Sequence, residues 1–437
     1  MARSGGAVGS DHRRVVLAAM IGTTIEWYDF FIYAICAGQV FATQYFAALG
    51  KDALLLSFAT IGISFFFRPI GAVVAGHLGD RIGRRAMLIL TLLLMGASTV
   101  LMGVVPNTAA IGVAAPILLV LLRIVQGLSA GGEWGGAALL AVEHAPPGRR
   151  GLYGAFPQIG VPIGLLLANG VLALVAALTT PAQFLDWGWR VPFLLSVVLI
   201  AVGMLIRTRV AESPVFEEVR EAKAASSLPL VPLFRHHWRL VLLGALLFAA
   251  NNAVGYMTTG GYVQSYAVRS LHLDRSTVLL AVMVSAVAWL ASTLLGGWLA
   301  DRIGRIRVYQ LGFVAQLLWM FPFFALIDTG NVALLVLALV LFAVGLGFTY
   351  GPQAALYAEM YPTRVRYSGA AISYAIGAVL GGAFAPTIAE ALQSGTGTVY
   401  AVGGYLAVMT VIGLVASFFV RDRPGRPLGD VPAGTGG

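Results

Sequence analysis

The chain has 437 residues, 59% of them hydrophobic and 11% charged, with a mean hydropathy of +0.85 and a formal net charge of +9. Soluble domains carry roughly 25% charged residues, so a water-facing core is excluded and lipid is the expected solvent. The basic excess is no nucleic-acid footprint either, because the arginines fall between apolar runs rather than in one patch.

A crossing helix needs about 20 apolar residues. Charged, Pro and Gly-rich breaks delimit twelve such runs, at 15–42, 53–78, 86–105, 112–142, 152–178, 190–207, 239–268, 277–300, 307–327, 331–358, 367–392 and 398–420. The expected class is therefore an all-α integral membrane protein of twelve transmembrane helices in two six-helix halves. No cleavable signal precedes the first span, which should be retained. Cys36 lies inside that span and reads as a small core residue; a single cysteine permits no intrachain disulfide.

Alternation of the loops sorts the charges. The termini and the loops on their side hold twenty-two Lys and Arg; the opposite loops hold four, Lys51, Arg190, Arg269 and Arg275. Basic loops stay inside, so both termini are expected in the cytoplasm of a multi-pass plasma-membrane protein. The expected segments are a cytoplasmic N-terminus at 1–14, a first half at 15–207, a cytoplasmic linker at 208–238, a second half at 239–420 and a disordered Gly- and Pro-rich tail at 421–437.

The halves repeat each other. Gly76-His-Leu-Gly-Asp-Arg-Ile-Gly-Arg-Arg85, after span two, returns after span eight as Gly297-Trp-Leu-Ala-Asp-Arg-Ile-Gly-Arg-Ile306. Glu143 with Arg149 and Arg150, after span four, returns as Glu359 with Arg364 and Arg366, after span ten. Parallel six-helix repeats are one of the transporter architectures. In each loop copy a glycine, Gly83 or Gly304, permits a tight turn with positive φ. Asp80, Arg81 and Arg84, and likewise Asp301, Arg302 and Arg305, can bond across to a neighbouring helix end, which makes them candidate gate residues.

Five charges fall inside spans: Glu26, Asp29, Arg68, Arg123 and Glu133. Unpaired, they would cost roughly 12–17 kcal/mol on insertion scales. They must pair, take up protons or face a wet cavity. Glu26 and Asp29 are one turn apart on one helix face, and the strain between two close carboxylates falls if one binds a proton. Asp29, the deeper, is the preferred proton carrier. Arg123, Gln126 and Glu133 share a stripe at about 100° per residue. The planar guanidinium of Arg123 suits a carboxylate, from a substrate or from an acid of span one, and Arg68 is a candidate for either use. Glu133 belongs with the gate or with a structural pair. Tyr28, Tyr33, Gln158, Asn251, Asn252, Tyr256 and Tyr374 are the polar residues expected to line a cavity, with interhelical hydrogen bonding as the simpler use.

These motifs resemble the major facilitator superfamily, in which the Gly-x-x-x-Asp-Arg-x-Gly-Arg loop is a signature. Glu26-Trp-Tyr-Asp-Phe30, Arg68-Pro-Ile-Gly71, Gly131-Gly-Glu-Trp-Gly-Gly136, Trp189-Arg-Val-Pro-Phe193 and Ala211-Glu-Ser-Pro214 resemble its metabolite:proton symporter branch. Val142-Glu-His-Ala-Pro-Pro-Gly-Arg-Arg150 is most similar to shikimate-type members. The resemblance implies the major facilitator fold and proton-coupled import of a small organic anion by alternating access, with the proton as coupling ion, no cofactor, no nucleic-acid partner and a functional monomer in a bacterial inner membrane. A zwitterion symporter, an uncoupled facilitator and an exporter are the alternatives. No metal-ligand His pair, no nucleophile with a base and no phosphate loop is present, so an enzyme is not expected.

Overall fold

The structure is a computed structural model. It describes residues 5–422 except 83, 132, 144, 147, 210–229, 260 and 363–364, and side chains over the same range outside 5–15, 75–88, 140, 207–209, 230–232 and 256–259. The expected N-terminal segment, linker and tail thus lie largely outside the described residues. Every described element is helical.

Twelve helices or helix groups follow the predicted order, and we number them as spans: Gly5–Cys36, Ala53–Ile82, Arg84–Val104, Ala114–Glu143, Arg150–Leu178, Arg190–Arg209, Leu230–Thr259, Arg275–Ile303, Arg305–Ile327, Val332–Met360, Arg366–Thr396 and Tyr400–Phe418. Among the described residues nine are long and apolar enough to cross a membrane, and the bent pair Pro181–Gly188 with Arg190–Ile206 makes a tenth. Ile89–Val104 is a shorter apolar helix in span three. The remaining helix is span one, whose apolar run is interrupted by Glu26 and Asp29.

The outward faces carry apolar side chains in the open, among them Leu174, Val198, Leu318 and Val408 at 56–75% exposure. Such faces would aggregate in water, whereas lipid solvates them and leaves each helix to satisfy its own backbone.

Several spans break where the sequence permits it. Span ten is interrupted at Pro352. Span eleven contains a π turn at Val379–Ala383. Span seven differs most from expectation. It begins at Leu230, bends at His237 and stops at Thr259, and Gly261 at φ 85 then turns the chain into a separate helix, Tyr262–Arg269. The sequence signal for that stop is Thr258-Thr259-Gly260-Gly261, which the apolar run read as span seven passed over.

Span one packs along span five, and span five packs along span eight of the other half. Span two meets span eleven, and spans four and five meet span ten. Close approach depends on small residues. A Cβ on Gly151 would sit 2.4 Å from the carbonyl oxygen of Gly297, and one on Gly62 would sit 2.3 Å from that of Ala383. The halves touch at both ends of the bundle. At the end carrying the repeated loops, Asp301 meets span five. At the opposite end Ser265 Oγ donates to Gly38 O at 3.2 Å, and Arg275 lies 4.5 Å from the Phe184 ring.

Candidate functional site

Span one delivers two carboxylates into the interior of the first half, and the structure separates their surroundings. Glu26 pairs with Arg68 of span two at 3.2 Å. The Arg68 guanidinium lies among the rings of Trp27, Phe30 and Phe65, 4.8–5.7 Å from their centroids. Asp29, fully buried, instead accepts a hydrogen bond from Ser196 Oγ of span six at 2.7 Å. Among the described residues it makes no ion pair.

Arg123 sits at 0% exposure in span four. Its Nη2 donates to Ile61 O at 3.1 Å and its Nε to Thr60 O at 3.4 Å, both in span two. Its Nη1 donates to Gln126 Oε1, and Gln126 Nε2 donates to Thr99 Oγ1 of span three at 3.0 Å. The guanidinium stacks over Tyr33 and Phe30, at 4.1 and 4.5 Å. Tyr33 itself bonds Thr60 Oγ1 at 2.6 Å. Span one thus gives an ion pair between Glu26 and Arg68. Of the expected stripe, Arg123 and Gln126 are joined directly, and Glu133 is buried further along the same span. Tyr28 turns away from this cluster, donating to Pro192 O at 2.8 Å.

Where the halves meet, Trp134 Nε1 donates to Gln158 Oε1 at 2.9 Å, and Gln158 Nε2 donates to Gln353 Oε1 at 3.2 Å. Tyr374 is sandwiched between Trp134 of the first half, 3.9 Å away and 9° from parallel, and Phe248 of the second, 4.0 Å away. At 1.5 Å per residue, Trp134 is about 16 Å along span four from Arg123, towards the end with the repeated loops.

The second half contributes neutral groups. Thr349 Oγ1 donates to Asn251 Oδ1 at 2.6 Å, and Asn252 Nδ2 donates to Ala378 O at 3.4 Å. The Tyr256 side chain lies outside the described residues.

The repeated loops close one end of the bundle. Asp301 accepts from the backbone N–H of Gly151 at 2.7 Å and of Leu152 at 2.9 Å, so the carboxylate of one half caps span five of the other. Arg305 reaches both Asp301, at 3.1 Å, and Glu359, at 3.2 Å. Glu359 is also met across the interface by Arg150 at 3.4 Å, and Glu143 is met by Arg366 at 3.7 Å. The repeat therefore pairs reciprocally, each half supplying an acid to the other's arginine. Gly304 takes the expected turn at φ 103. Arg302 lies over Trp298 of its own helix, 3.8 Å away. Gly83 and the side chains of Asp80, Arg81 and Arg84 lie outside the described residues. Sequence reasoning had marked Glu143, Arg150, Glu359 and Arg366 as a repeat without assigning them to the gate. It missed Thr99 and Ser196 because a lone hydroxyl in an apolar span looks like packing.

A lipid-facing bundle of helix pairs, with buried charges inside and reciprocal ion pairs closing one end, defines a multi-pass membrane transporter rather than an enzyme. Residues 19–386 match the sequence pattern described as the Major Facilitator Superfamily, and the chain belongs to that family. It is 44% identical over 422 residues to the inner membrane metabolite transport protein YhjE of Escherichia coli, covering 94% of this chain and 95% of that one. It is 37% identical over 416 residues to the shikimate transporter of Escherichia coli, covering 94% of each. The proton:xylose symporter XylE shares the fold, with a TM-score of 0.76 at 19% identity over 96% of this chain and 98% of that one.

Proposed function

We propose that the chain is a proton-coupled symporter that imports a small organic anion, of the shikimate or mono- and dicarboxylate class, by alternating access. It would act as a monomer in a bacterial inner membrane, with both termini cytoplasmic and the proton as coupling ion. The observation that carries the reading is the pair of buried groups inside the first half: Arg123, a permanent cation, and Asp29, a carboxylate that makes no ion pair among the described residues. A guanidinium in an apolar interior is suited to a substrate carboxylate. A carboxylate there is suited to a proton, which neutralises it without a further protein group. The similarity to a shikimate transporter supports the anion class.

In this mechanism, proton and anion enter from outside and reach Asp29 and Arg123. Anion charge is matched by Arg123 and Asp29 is neutral, so the loaded interior carries little net charge. The halves then rock. The Trp134–Tyr374 stack and the ion pairs of Asp301, Arg305 and Glu359 part, and the substrate leaves on the cytoplasmic side. The empty carrier returns after Asp29 releases its proton.

The test is proton movement in proteoliposomes challenged with small carboxylates and betaines. External alkalinisation with one carboxylate, lost in Asp29→Asn while exchange of that compound continues, is the expected result. Uphill accumulation by Asp29→Asn at the wild-type level would remove the proton role from Asp29. A second reading, import of a zwitterion, is favoured by the Trp134–Tyr374–Phe248 stack, since aromatic faces also attract a quaternary ammonium. Trp134→Leu separates the two: loss of betaine uptake supports it, and loss of neither substrate removes it.

A further inference from the structure

The ion pair of Arg68 leaves part of its hydrogen-bonding capacity unused. We infer that Arg68 is a second carboxylate receptor, occupied at rest by Glu26, and that it fits the carrier to dicarboxylates as well as monocarboxylates. This rests on the symport reading above and adds a cation that the reading leaves without a role.

Arg68 is buried at 2% exposure, with the rings of Trp27, Phe30 and Phe65 around its guanidinium. Its Nη2 stands 3.2 Å from Glu26 Oε1, close enough for an ion pair. Neither Nη2 nor Nε has a hydrogen-bond acceptor among the described residues. A buried N–H without an acceptor has given up water and gained no bond in return. Nε and Nη2 stand side by side on the guanidinium, and their spacing matches the two oxygens of one carboxylate. Glu26 therefore satisfies the charge of Arg68 and not its fork. Arg123 lies against the same ring: the two guanidinium carbons are 5.4 and 4.5 Å from the Phe30 centroid. That brings both cations within reach of the two ends of one small dicarboxylate.

Charge decides how the second receptor is filled. With Asp29 protonated and Glu26 ionised, the buried set of Glu26, Asp29, Arg68 and Arg123 carries one net positive charge, which one carboxylate cancels. A second carboxylate must displace Glu26 from Arg68. Glu26 is then a buried charge without its cation, a costly state that a proton from outside relieves. A monocarboxylate should thus enter with one proton, on Asp29, and a dicarboxylate with two, on Asp29 and Glu26. Each proton forms an O–H bond on a carboxylate, and no other covalent bond changes.

Other charged side chains around the pair are few. Span one adds Asp29, and span four adds Arg123 and Glu133. Spans three, five, six and eleven hold no Asp, Glu, Lys, Arg or His over residues 86–104, 151–178, 191–206 and 367–389. Arg123 is taken by the first carboxylate, so these helices offer displaced Glu26 no other cation.

The test counts protons per substrate in proteoliposomes of the full-length protein, from a pH dye and labelled substrate, with shikimate and succinate as probes. Wild-type protein should take up one proton with each shikimate and two with each succinate. Glu26→Gln removes the resident competitor: the KM for succinate should fall about tenfold, its proton count should drop to one, and the count for shikimate should stay at one. Arg68→Lys keeps a charge against Glu26 and loses the fork, so succinate uptake should fall about tenfold or more while shikimate uptake stays within about twofold. A proportionate fall in both substrates is what a purely structural arginine gives, and it overturns the receptor. One proton per succinate in wild-type protein overturns it as well, as does shikimate uptake without succinate uptake. If Glu26→Gln does not fold, Arg68→Lys and the wild-type counts decide. No proton movement with either probe sinks the symport reading itself, which separates the two failures.

Discussion

The two halves share a backbone plan and differ in what they bury. The interior of the first half holds Glu26, Asp29, Arg68 and Arg123, none more than 3% exposed. The corresponding depth of the second half holds Asn251, Asn252, Gln316, Thr349 and Gln353, all neutral. Its buried charges, Arg305, Glu359 and Arg366, stand instead near the end that carries the repeated loops. A charge in an apolar interior is costly unless it is paired or used. The difference teaches that the interior charge belongs to one half, while the other supplies neutral hydrogen-bonding groups; under the proposed symport, the proton and anion chemistry would fall in the first half.

The largest break in that comparison comes from Arg123. Arg123→Leu should lower shikimate uptake by about a hundredfold or more, because removal of a bidentate cation leaves the carboxylate unmatched, and Arg123→Lys should recover little of it. Uptake within a few-fold of wild type in Arg123→Leu would show that the anion is bound elsewhere.

The next effect is on stability. Arg68→Leu leaves Glu26 without its cation and should cost about 3–5 kcal/mol, read as a fall in thermal unfolding temperature in detergent. The double variant Arg68→Leu with Glu26→Gln should regain most of the loss. Asn251→Ala, which deprives Thr349 of one acceptor, should cost only about 1 kcal/mol. Equal losses in the two halves would erase the contrast.

A smaller effect is conformational. Glu359→Gln removes the charge shared by Arg150 and Arg305, where a hydrogen bond to a charged group is worth about 1.5–3 kcal/mol. A cysteine placed at Ala354, which packs against Gly154 across the interface, should then be labelled about tenfold faster in a Cys36→Ser background. An unchanged labelling rate would remove Glu359 from the gate.

Much of the fold was legible because lipid imposes a simple rule: long apolar runs separated by basic loops. The repeat at Asp80 and Asp301 singled out loops expected to bond across, and Asp301 does reach across to span five. Partner choice was not legible. Glu26 and Asp29 look alike in sequence, and only helix rotation decides that one meets Arg68 and the other Ser196. The cross-half stack of Tyr374 on Trp134 depends on how two distant helices pack, and nothing in the spacing of either residue records it.

The smallest predicted effect concerns the far end of the second half. Gly304 turns at φ 103 between spans eight and nine, and Asp422 Oδ2 would sit 2.4 Å from a Cβ placed there. The same oxygen accepts from Ile306 N at 3.3 Å, in the first turn of span nine. Asp422 thus acts as a cap supplied from beyond span twelve, and it steadies the turn that aims Asp301 and Arg305 at the first half. Asp422→Ala should cost about 0.5–2 kcal/mol, the usual loss when a helix cap is removed, with uptake reduced by a few-fold at most. Gly304→Ala should cost more, because it adds positive-φ strain to the collision with Asp422. If instead Asp422→Ala is the more damaging of the two, the segment after span twelve does more than cap a helix.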